Sequence, residues 1–292
     1  LPELLAWISE AVTPLNLTYE IIIVDDGSRD NSPKVLRELK KKYPPLKAIV
    51  FRKNYGKSAA LSEGFRLARG EIVITMDADL QDDPGEIPNM LRKLNEGYDL
   101  VSGWKKKRND PISKKLPSKL FNFVTSLVTG IRLHDFNCGL KAYRREVIET
   151  IQVYGEMHRF LPVLAHWQGF RVGELAVKHH PRVYGKTKFG LRRFFNGFLD
   201  LLTVLFLTRY KTSPLHIFGM MGLFFFLIGF VIEVYFTIHW SLGGKIGTRP
   251  LFFLGILLII VGVQFIVFGL LGEMLTADFA EKVQYTRKEI IE

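Results

Sequence analysis

The sequence predicts an α/β domain with a mainly parallel sheet and helices on both faces, followed by a hairpin of two membrane-spanning helices. Three observations carry this. Short apolar, β-branched runs alternate with helix-length stretches in the charge-rich first 190 of the 292 residues. Two of those runs break off into acid, in "YEIIIVDDGS" and "EIVITMDAD". Beyond Leu215 the text turns apolar, and "IFGMMGLFFFLIGFVI" (217–232) and "PLFFLGILLIIVGVQFIVFGLLG" (250–272) carry no charge at all.

The elements follow in order. "LPELLAWISE" is a helix. A doubly wound sheet ordinarily opens on a strand, so the natural chain is expected to begin before Leu1. "YEIIIVDDGS" is a strand, "SPKVLRELKKKY" a helix, "LKAIVFRKN" a strand, and "GKSAALSEGFRLARG" a helix of small residues stopped by Gly. "EIVITMDAD" is the next strand. "PGEIPNMLRKLNEG" begins with Pro and ends with Gly, as helices do, and "YDLVSGW" is a strand. IIIV and IVIT show no alternation, which is expected where both faces of a strand are covered.

A helix rises about 1.5 Å per residue, so about 20 apolar residues cross a bilayer core. The second apolar run meets that length; the first meets it from about Leu215 to Ile238, with His216 and Glu233 near its ends. Neither run is N-terminal, so neither is a signal peptide, and a soluble domain rarely hides two such runs side by side. The short link "HWSLGGKIGTRP" makes them a hairpin. Gly255, Gly262 and Gly269 share one helix face, as do Gly222 and Gly229. Small residues let membrane helices approach closely, and a homo-oligomer is expected from these faces.

The formal net charge is +11. Basic residues crowd toward the spans in "KKLPSK", "KHHPRVYGKTK", "LRRFF" and "TRYK". An anionic bilayer fits that distribution better than nucleic acid, for which no recognition motif is present. "FGLRRFFNGFLDLLTVLFLTRYK" (189–211) has cationic ends and an apolar body, and reads as a helix lying in the interface. Lys and Arg mark the cytoplasmic side. The expected organisation is therefore a cytoplasmic domain at 1–188, juxtamembrane helices at 189–212, two spans within 213–276 (about 215–238 and 250–273), and a cytoplasmic tail at 277–292, in a multi-pass protein of the inner (plasma) membrane. The single cysteine, Cys138, excludes an internal disulfide and reads as a small buried apolar residue.

In doubly wound sheets ligands bind beyond the carboxyl ends of the strands. Three strand ends carry polar clusters: Asp25-Asp26-Gly27-Ser28, Arg52-Lys53-Asn54 and Asp77-Ala78-Asp79. Their convergence on one cleft is expected. Asp77 and Asp79, two residues apart, can point the same way, and Gln81 adds a carbonyl oxygen. Such hard oxygen donors suit Mg²⁺ or Mn²⁺, which keep waters and are completed by substrate phosphates. Asp82 and Asp83 bring the acids to four within seven positions, so a positive partner is expected there. Gly56-Lys57-Ser58 imitates the end of a P-loop, but Phe51 stands where the first glycine belongs, so the loop is not one. A Gly and a Lys at a helix start still suit an anion such as a nucleotide diphosphate.

"VDDGSRDNS", "RNYGKSAAL", "MDADLQDDP" and "DFNCGLKAYRREV" together resemble the inverting family 2 glycosyltransferases, and most closely the polyprenyl-phosphate sugar synthases that include dolichol-phosphate mannose synthase and bacterial two-span members. The resemblance covers about residues 3–190. It implies a Rossmann-like glycosyltransferase-A fold, a nucleotide-sugar donor, a polyprenyl-phosphate acceptor and a divalent metal. Residue by residue, it implies nucleotide contacts at Asp25, Asp26, Asn54, Gly56, Lys57, Asp77 and Ala78, a metal at Asp77, Asp79 and Gln81, and catalytic roles for Asp79 and Asp135, the latter facing the sugar. His158 and Arg159 of "MHRFLP" sit where relatives close over the acceptor. The family's opening strand, with its Pro-x-Tyr-Asn-Glu nucleotide contacts, has no counterpart here.

An acceptor phosphate needs cations near the membrane. Lys114, Lys115, Ser118 and Lys119 share one predicted helix, and Arg182, Lys186 and Lys188 precede the interfacial segment. The expected reaction moves a hexose, with UDP-glucose as the donor, onto polyprenyl phosphate; mannose or a modified arabinose are the alternatives. A processive polysaccharide synthase would carry Gln-x-x-Arg-Trp and Thr-Glu-Asp, but "QGFRV" has Val172 in place of Trp and no Thr-Glu-Asp occurs. The reading from outside the enzymes is a membrane adaptor that keeps a nucleotide-binding shell without catalysis. Intact acidic strand ends argue against it.

Overall fold

The β-branched runs pair as their composition demands. In the computed structural model, which describes residues 1–106, 112–181, 203, 213–246 and 249–280, the side chains at 112–119 and 276–280 lie outside the description. β1 (Ile21–Asp25) and β2 (Leu46–Val50) pair in parallel, Ile23 opposite Ala48. A second sheet has the order β3-β5-β4-β6, formed by β3 (Ile72–Thr75), β4 (Leu100–Trp104), β5 (Lys141–Arg144) and β6 (Val172–Ala176). β4 and β6 run parallel, whereas β5 is antiparallel to both β3 and β4. The expected parallel sheet is thus present with one antiparallel strand set into it. β1 and β3 each have one edge without a strand partner among the described residues, so IIIV and IVIT are half-buried, yet both faces are packed as expected: Ile22 and Val73 lie against one core cluster, Ile72 and Ile74 against a second, and Ile21 and Ile23 against a third.

Helices α1 (Pro2–Val12), α2 (Ser32–Lys42), α3 (Lys57–Leu67) and α4 (Ile87–Asn95) lie where the sequence places them. α2 buries Leu36 and Leu39 and ends in Lys40, Lys41 and Lys42, cations suited to the negative end of a helix. α4 buries Ile87, Met90 and Leu94, one face at helical spacing. α5 (Ile112–Thr129), α6 (Arg145–Thr150) and α7 (Leu161–Trp167) complete the domain. Successive strand residues point to opposite faces, and the core follows that rule. Leu100 and Tyr143 pack with Val147, Leu161 and Ala165 on one face; Val101 and Ala142 pack with Met90, Leu94 and Leu140 on the other.

The membrane segments form a separate unit. α8 (Pro214–Ser241) and α9 (Pro250–Ala280) are long and apolar enough to cross a bilayer, with apolar stretches of mean hydropathy 2.4 in α8 and 2.9 within Pro250–Leu275 of α9. The glycine faces that the sequence analysis assigned to self-association are taken up inside this hairpin. A Cβ on Gly222 would fall 2.6 Å from the carbonyl oxygen of Gly262, and one on Gly229 would fall 2.6 Å from that of Gly255. Backbone meets backbone at these crossings, so packing replaces the hydrophobic drive that lipid cannot supply. Glu273 Oε2 accepts the Leu215 N–H at 3.3 Å and so caps the first turn of α8, where amide protons lack helical partners.

Candidate active site

The three polar strand ends are laced together. Asp26, at the end of β1, reaches into the loop after β2: its Oδ1 accepts the Tyr55 N–H at 2.7 Å and its Oδ2 the Gly56 N–H at 2.9 Å. Asn54 Nδ2 donates back to the Asp26 carbonyl at 3.3 Å. The approach is close enough to require glycine at position 27, where φ is +73° and a Cβ would lie 2.4 Å from the Lys53 carbonyl carbon. Gly56 then opens α3, and the first residue of that helix, Lys57, pairs with Asp77 Oδ1 at the end of β3. Asp26 is therefore occupied in holding its neighbour loop. Asp25 differs: its Oδ1 accepts the Ser28 N–H at 2.9 Å, while its buried Oδ2 has no protein partner. A buried acceptor without a donor is costly, and a ligand N–H or O–H would satisfy it.

The acidic run after β3 divides into two pairs. Asp82 and Asp83 are structural. Asp82 is 1% exposed, accepts the Asp77 N–H at 3.1 Å, and has Lys105 Nζ at 3.3 Å and His179 Nδ1 at 3.7 Å. Burial works to raise its pKa, but His179, the Lys105 charge and the Asp77 N–H outweigh burial and hold it at about 2. Asp83 Oδ1 accepts the Gly85 N–H at 2.8 Å, capping a short 3₁₀ turn, and its Oδ2 lies 3.1 Å from His180 Nε2. Lys105 thus gives Asp82 a positive partner from within the protein, and His180 gives Asp83 a ring nitrogen. Asp77 and Asp79 remain half-exposed at the strand end, with Ala78 exposed between them. Asp79 Oδ1 accepts the Gln81 N–H at 3.2 Å. Between the two, Leu80 takes the left-handed conformation, φ 62°, with its side chain in the core. Such strain is held only where the surroundings over-determine it.

Beneath the acids lie two lysines, the buried Lys141 and the partly buried Lys105, that the sequence analysis missed. The β3–β5 register sets Thr75 opposite Lys141. Lys141 is buried, donates to the Cys138 carbonyl, and is close enough to Asp135 and Asp77 to feel both charges. Burial, with Lys57 nearby, still lowers its pKa. Lys105 behaves oppositely: burial lowers it, but Asp82 and then Cys138, Asp135 and Asp77 raise it above the ordinary lysine value. The sequence signal for Lys141 was a lysine inside a strand-like run, KAYR, that packs at the sheet centre. Cys138 is inert: burial pushes its thiol up to about 11. Asp135 is buried, and its segment is held by Glu174, whose Oε1 accepts both the His134 N–H at 2.8 Å and the Asp135 N–H at 3.0 Å.

His158 closes the site beside α3. Ser58 Oγ accepts the His158 backbone N–H at 3.1 Å and shares a second hydrogen bond, 3.1 Å long, with His158 Nδ1. Burial, then the charges of Arg159, Lys57 and Lys141, push the His158 pKa down to about 3. A histidine in the unfolded chain titrates near 6.5. Between those values the unfolded chain binds the extra proton, so this group's contribution to stability is lost as pH falls from about 6.5 toward 3. His158→Asn is expected to flatten that loss. Thermal unfolding of both proteins at about pH 7.5 and about pH 4.5 measures it, since Asp82 stays ionised at both.

No three His, Cys, Asp or Glu side chains cluster as a ready-made metal site among the described residues. The oxygen donors at the β3 end still fit a hard divalent ion that keeps waters and takes its remaining ligands from phosphate. Gly139 supplies the supporting observation. A Cβ there would lie 2.7 Å from Asp77 Oδ2 and 2.9 Å from Asp82 Oδ2, so its hydrogen leaves a cradle that seats both acids. Of the expected acceptor residues, Lys114 and Ser118, with Lys115 and Lys119, fall in α5 with side chains outside the description. Arg182, Lys186 and Lys188, and all of 189–211 except Thr203, lie outside the described residues.

Residues 3–152 match the sequence family described as Glycosyl transferase family 2. Dodecaprenyl-phosphate galacturonate synthase of Rhizobium johnstonii is 40% identical over 267 residues, covering 89% of this chain and 79% of that protein. Undecaprenyl-phosphate 4-deoxy-4-formamido-L-arabinose transferase of Shewanella sediminis is 36% identical over 286 residues, covering 96% and 84%. Among solved structures, mannosyl-3-phosphoglycerate synthase from Rubrobacter xylanophilus matches with a TM-score of 0.50 at 15% identity, covering 68% of each chain, a likeness of fold.

Proposed function

The chain belongs to glycosyl transferase family 2, among its polyprenyl-phosphate sugar synthases, and on that premise we propose that it moves one sugar from a nucleotide donor to polyprenyl phosphate at the cytoplasmic membrane face, inverting the anomeric centre. The observation that carries the reading is the joining of three strand ends through Asp26, Gly56, Lys57 and Asp77, with the half-exposed Asp79 two residues beyond.

The chemistry follows from charge. As the bond from the anomeric carbon to the diphosphate breaks, its electron pair leaves with the nucleotide. A divalent ion, Mg²⁺ or Mn²⁺, held by Asp79 with Asp77 and Gln81, would neutralise that charge. Lys57, at the start of α3, exchanges its Asp77 partner for the donor phosphates, where helix amides also point. Asp25 Oδ2 takes a donor hydrogen from base or ribose. Lys141 offsets the Asp77 and Asp135 charges that would otherwise repel the donor. The acceptor phosphate has a second pKa of about 6 and is largely dianionic at neutral pH, so it attacks without a strong general base. Asp135 orients the sugar hydroxyls and offsets positive charge at the anomeric carbon. Lys114 and Ser118 of α5, with Arg182, Lys186 and Lys188, hold the acceptor phosphate.

The donor is a UDP-sugar. UDP-glucose stands beside UDP-galacturonate and a UDP-linked modified arabinose, since the two similar relatives are named for galacturonate and for 4-deoxy-4-formamido-L-arabinose. Purified protein with undecaprenyl phosphate and each radiolabelled donor, GDP-mannose included, tests this. One donor is expected to label a single-sugar lipid. A long labelled chain would indicate a polysaccharide synthase instead. Absence of both transfer and metal-dependent nucleotide binding by titration calorimetry would indicate an adaptor.

A further inference from the structure

The amphipathic pattern of α5 is turned the wrong way for a domain that meets only water. Its inward side carries polar residues, Asn122, Thr125 and Thr129, all buried, beside Phe121, which packs against Phe160. Asn122 Nδ2 donates to the His134 carbonyl at 2.6 Å, and Trp167 Nε1 donates to the Thr129 carbonyl at 3.3 Å. Asn122 Oδ1 and Thr125 Oγ1 are buried there without a hydrogen-bond partner. Its outward residues are apolar: Leu120, Phe123 and Leu127 are 53%, 65% and 72% exposed. Spaced i, i+3 and i+7, they form one continuous stripe along the helix. The other large exposed apolar residues among the described part of the domain, Leu17, Val50, Tyr55 and Tyr154, belong to no helix. Single apolar residues on a surface are ordinary; a stripe of large ones marks a contact.

We propose that this stripe is a membrane contact of the catalytic domain, with α5 lying along the bilayer surface and Leu120, Phe123 and Leu127 at the boundary between headgroups and acyl chains. The medium outside α5 must be more apolar than water for this orientation to be favourable. Charge complementarity selects a bilayer. The N-terminal half of the same helix supplies Lys114, Lys115 and Lys119, and the chain carries a net +11, suited to anionic headgroups. Two spans in the same chain keep a bilayer within reach. The contact adds a surface foothold that is independent of the donor cleft. It holds the domain against the leaflet from which a lipid acceptor is drawn.

The test uses the full chain. Cys138 is buried and its thiol is pushed up to about 11, so Phe123→Cys presents one reactive thiol. The variant is labelled with an environment-sensitive nitrobenzoxadiazole and placed, one copy per nanodisc, in anionic lipid free of polyprenyl phosphate. Glu38→Cys, on the exposed face of α2, is the water-facing control. Blue-shifted emission, at least about twofold brighter than the control and quenched by shallow nitroxide lipids, is the expected result, with Leu127→Cys behaving alike. Emission and quenching equal to the Glu38 probe would overturn the proposal. So would shielding that arises only after polyprenyl phosphate is added, which would assign the stripe to the acceptor's chain, or only with two copies per disc, which would assign it to self-association. The readout involves no sugar transfer, so its failure is separable from failure of the proposed reaction.

Discussion

Asp79→Asn is expected to lower sugar transfer by about a hundred- to a thousandfold, the range seen when one preorganised electrostatic contact to developing charge is removed. The substitution removes a charge and little else. Asparagine keeps an oxygen able to accept the Gln81 N–H, which Asp79 Oδ1 accepts at 3.2 Å. Leu80 stays anchored in the core, and Asp82 and Asp83 keep their contacts with Lys105 and His180. Folding should therefore be intact, with an unchanged thermal unfolding midpoint. Transfer in proteoliposomes at saturating donor, alongside calorimetric nucleotide binding with and without Mn²⁺, measures the effect. Turnover within about threefold of the parent would remove Asp79 from the reaction, given the size such contacts carry.

The second large effect is expected from Gly139→Ala. The new methyl would sit 2.7 Å from Asp77 Oδ2 and 2.9 Å from Asp82 Oδ2, nearer than carbon and oxygen tolerate. One carboxylate must yield. Asp82 is 1% exposed and held by Lys105, His179 and the Asp77 N–H, whereas Asp77 is half-exposed and, among the described side chains, paired with Lys57. Asp77 therefore moves, and Lys57 loses its partner. Misplacing a catalytic group by about an ångström costs on the order of a hundredfold in rate, so kcat should fall by about ten- to a hundredfold with the domain folded. Gly64→Ala is the control. Its methyl would meet only Val24 Cγ2 at 3.6 Å, an ordinary contact, and helix interiors favour Ala over Gly by about 0.5–1 kcal/mol. Unchanged kinetics in Gly139→Ala would show that the Asp77 position is not critical.

Much of the fold was legible locally. Apolar β-branched runs, Pro and Gly at helix ends and two uncharged stretches of bilayer length are patterns within a few residues of one another, and backbone physics reads them directly. The glycines of the hairpin were legible as small faces; that they meet each other, Gly222 with Gly262 and Gly229 with Gly255, is a fact of packing. β5 escaped notice because KAYR is short and mixes charge into a strand, and its antiparallel setting follows from pairing with residues distant in the chain.

By itself the sequence determined an acidic strand end, a neighbouring Gly-Lys helix start, and an excess of cations beside two apolar runs. Only the tertiary structure decided how those charges divide. Four adjacent aspartates look alike in a string, yet Lys105 and His179 claim Asp82 and His180 claims Asp83, leaving Asp77 and Asp79 at the cleft. It also decided that α5 turns Leu120, Phe123 and Leu127 outward. Helical periodicity defines the faces of a helix, but which face is buried depends on the partners that long-range folding brings against it.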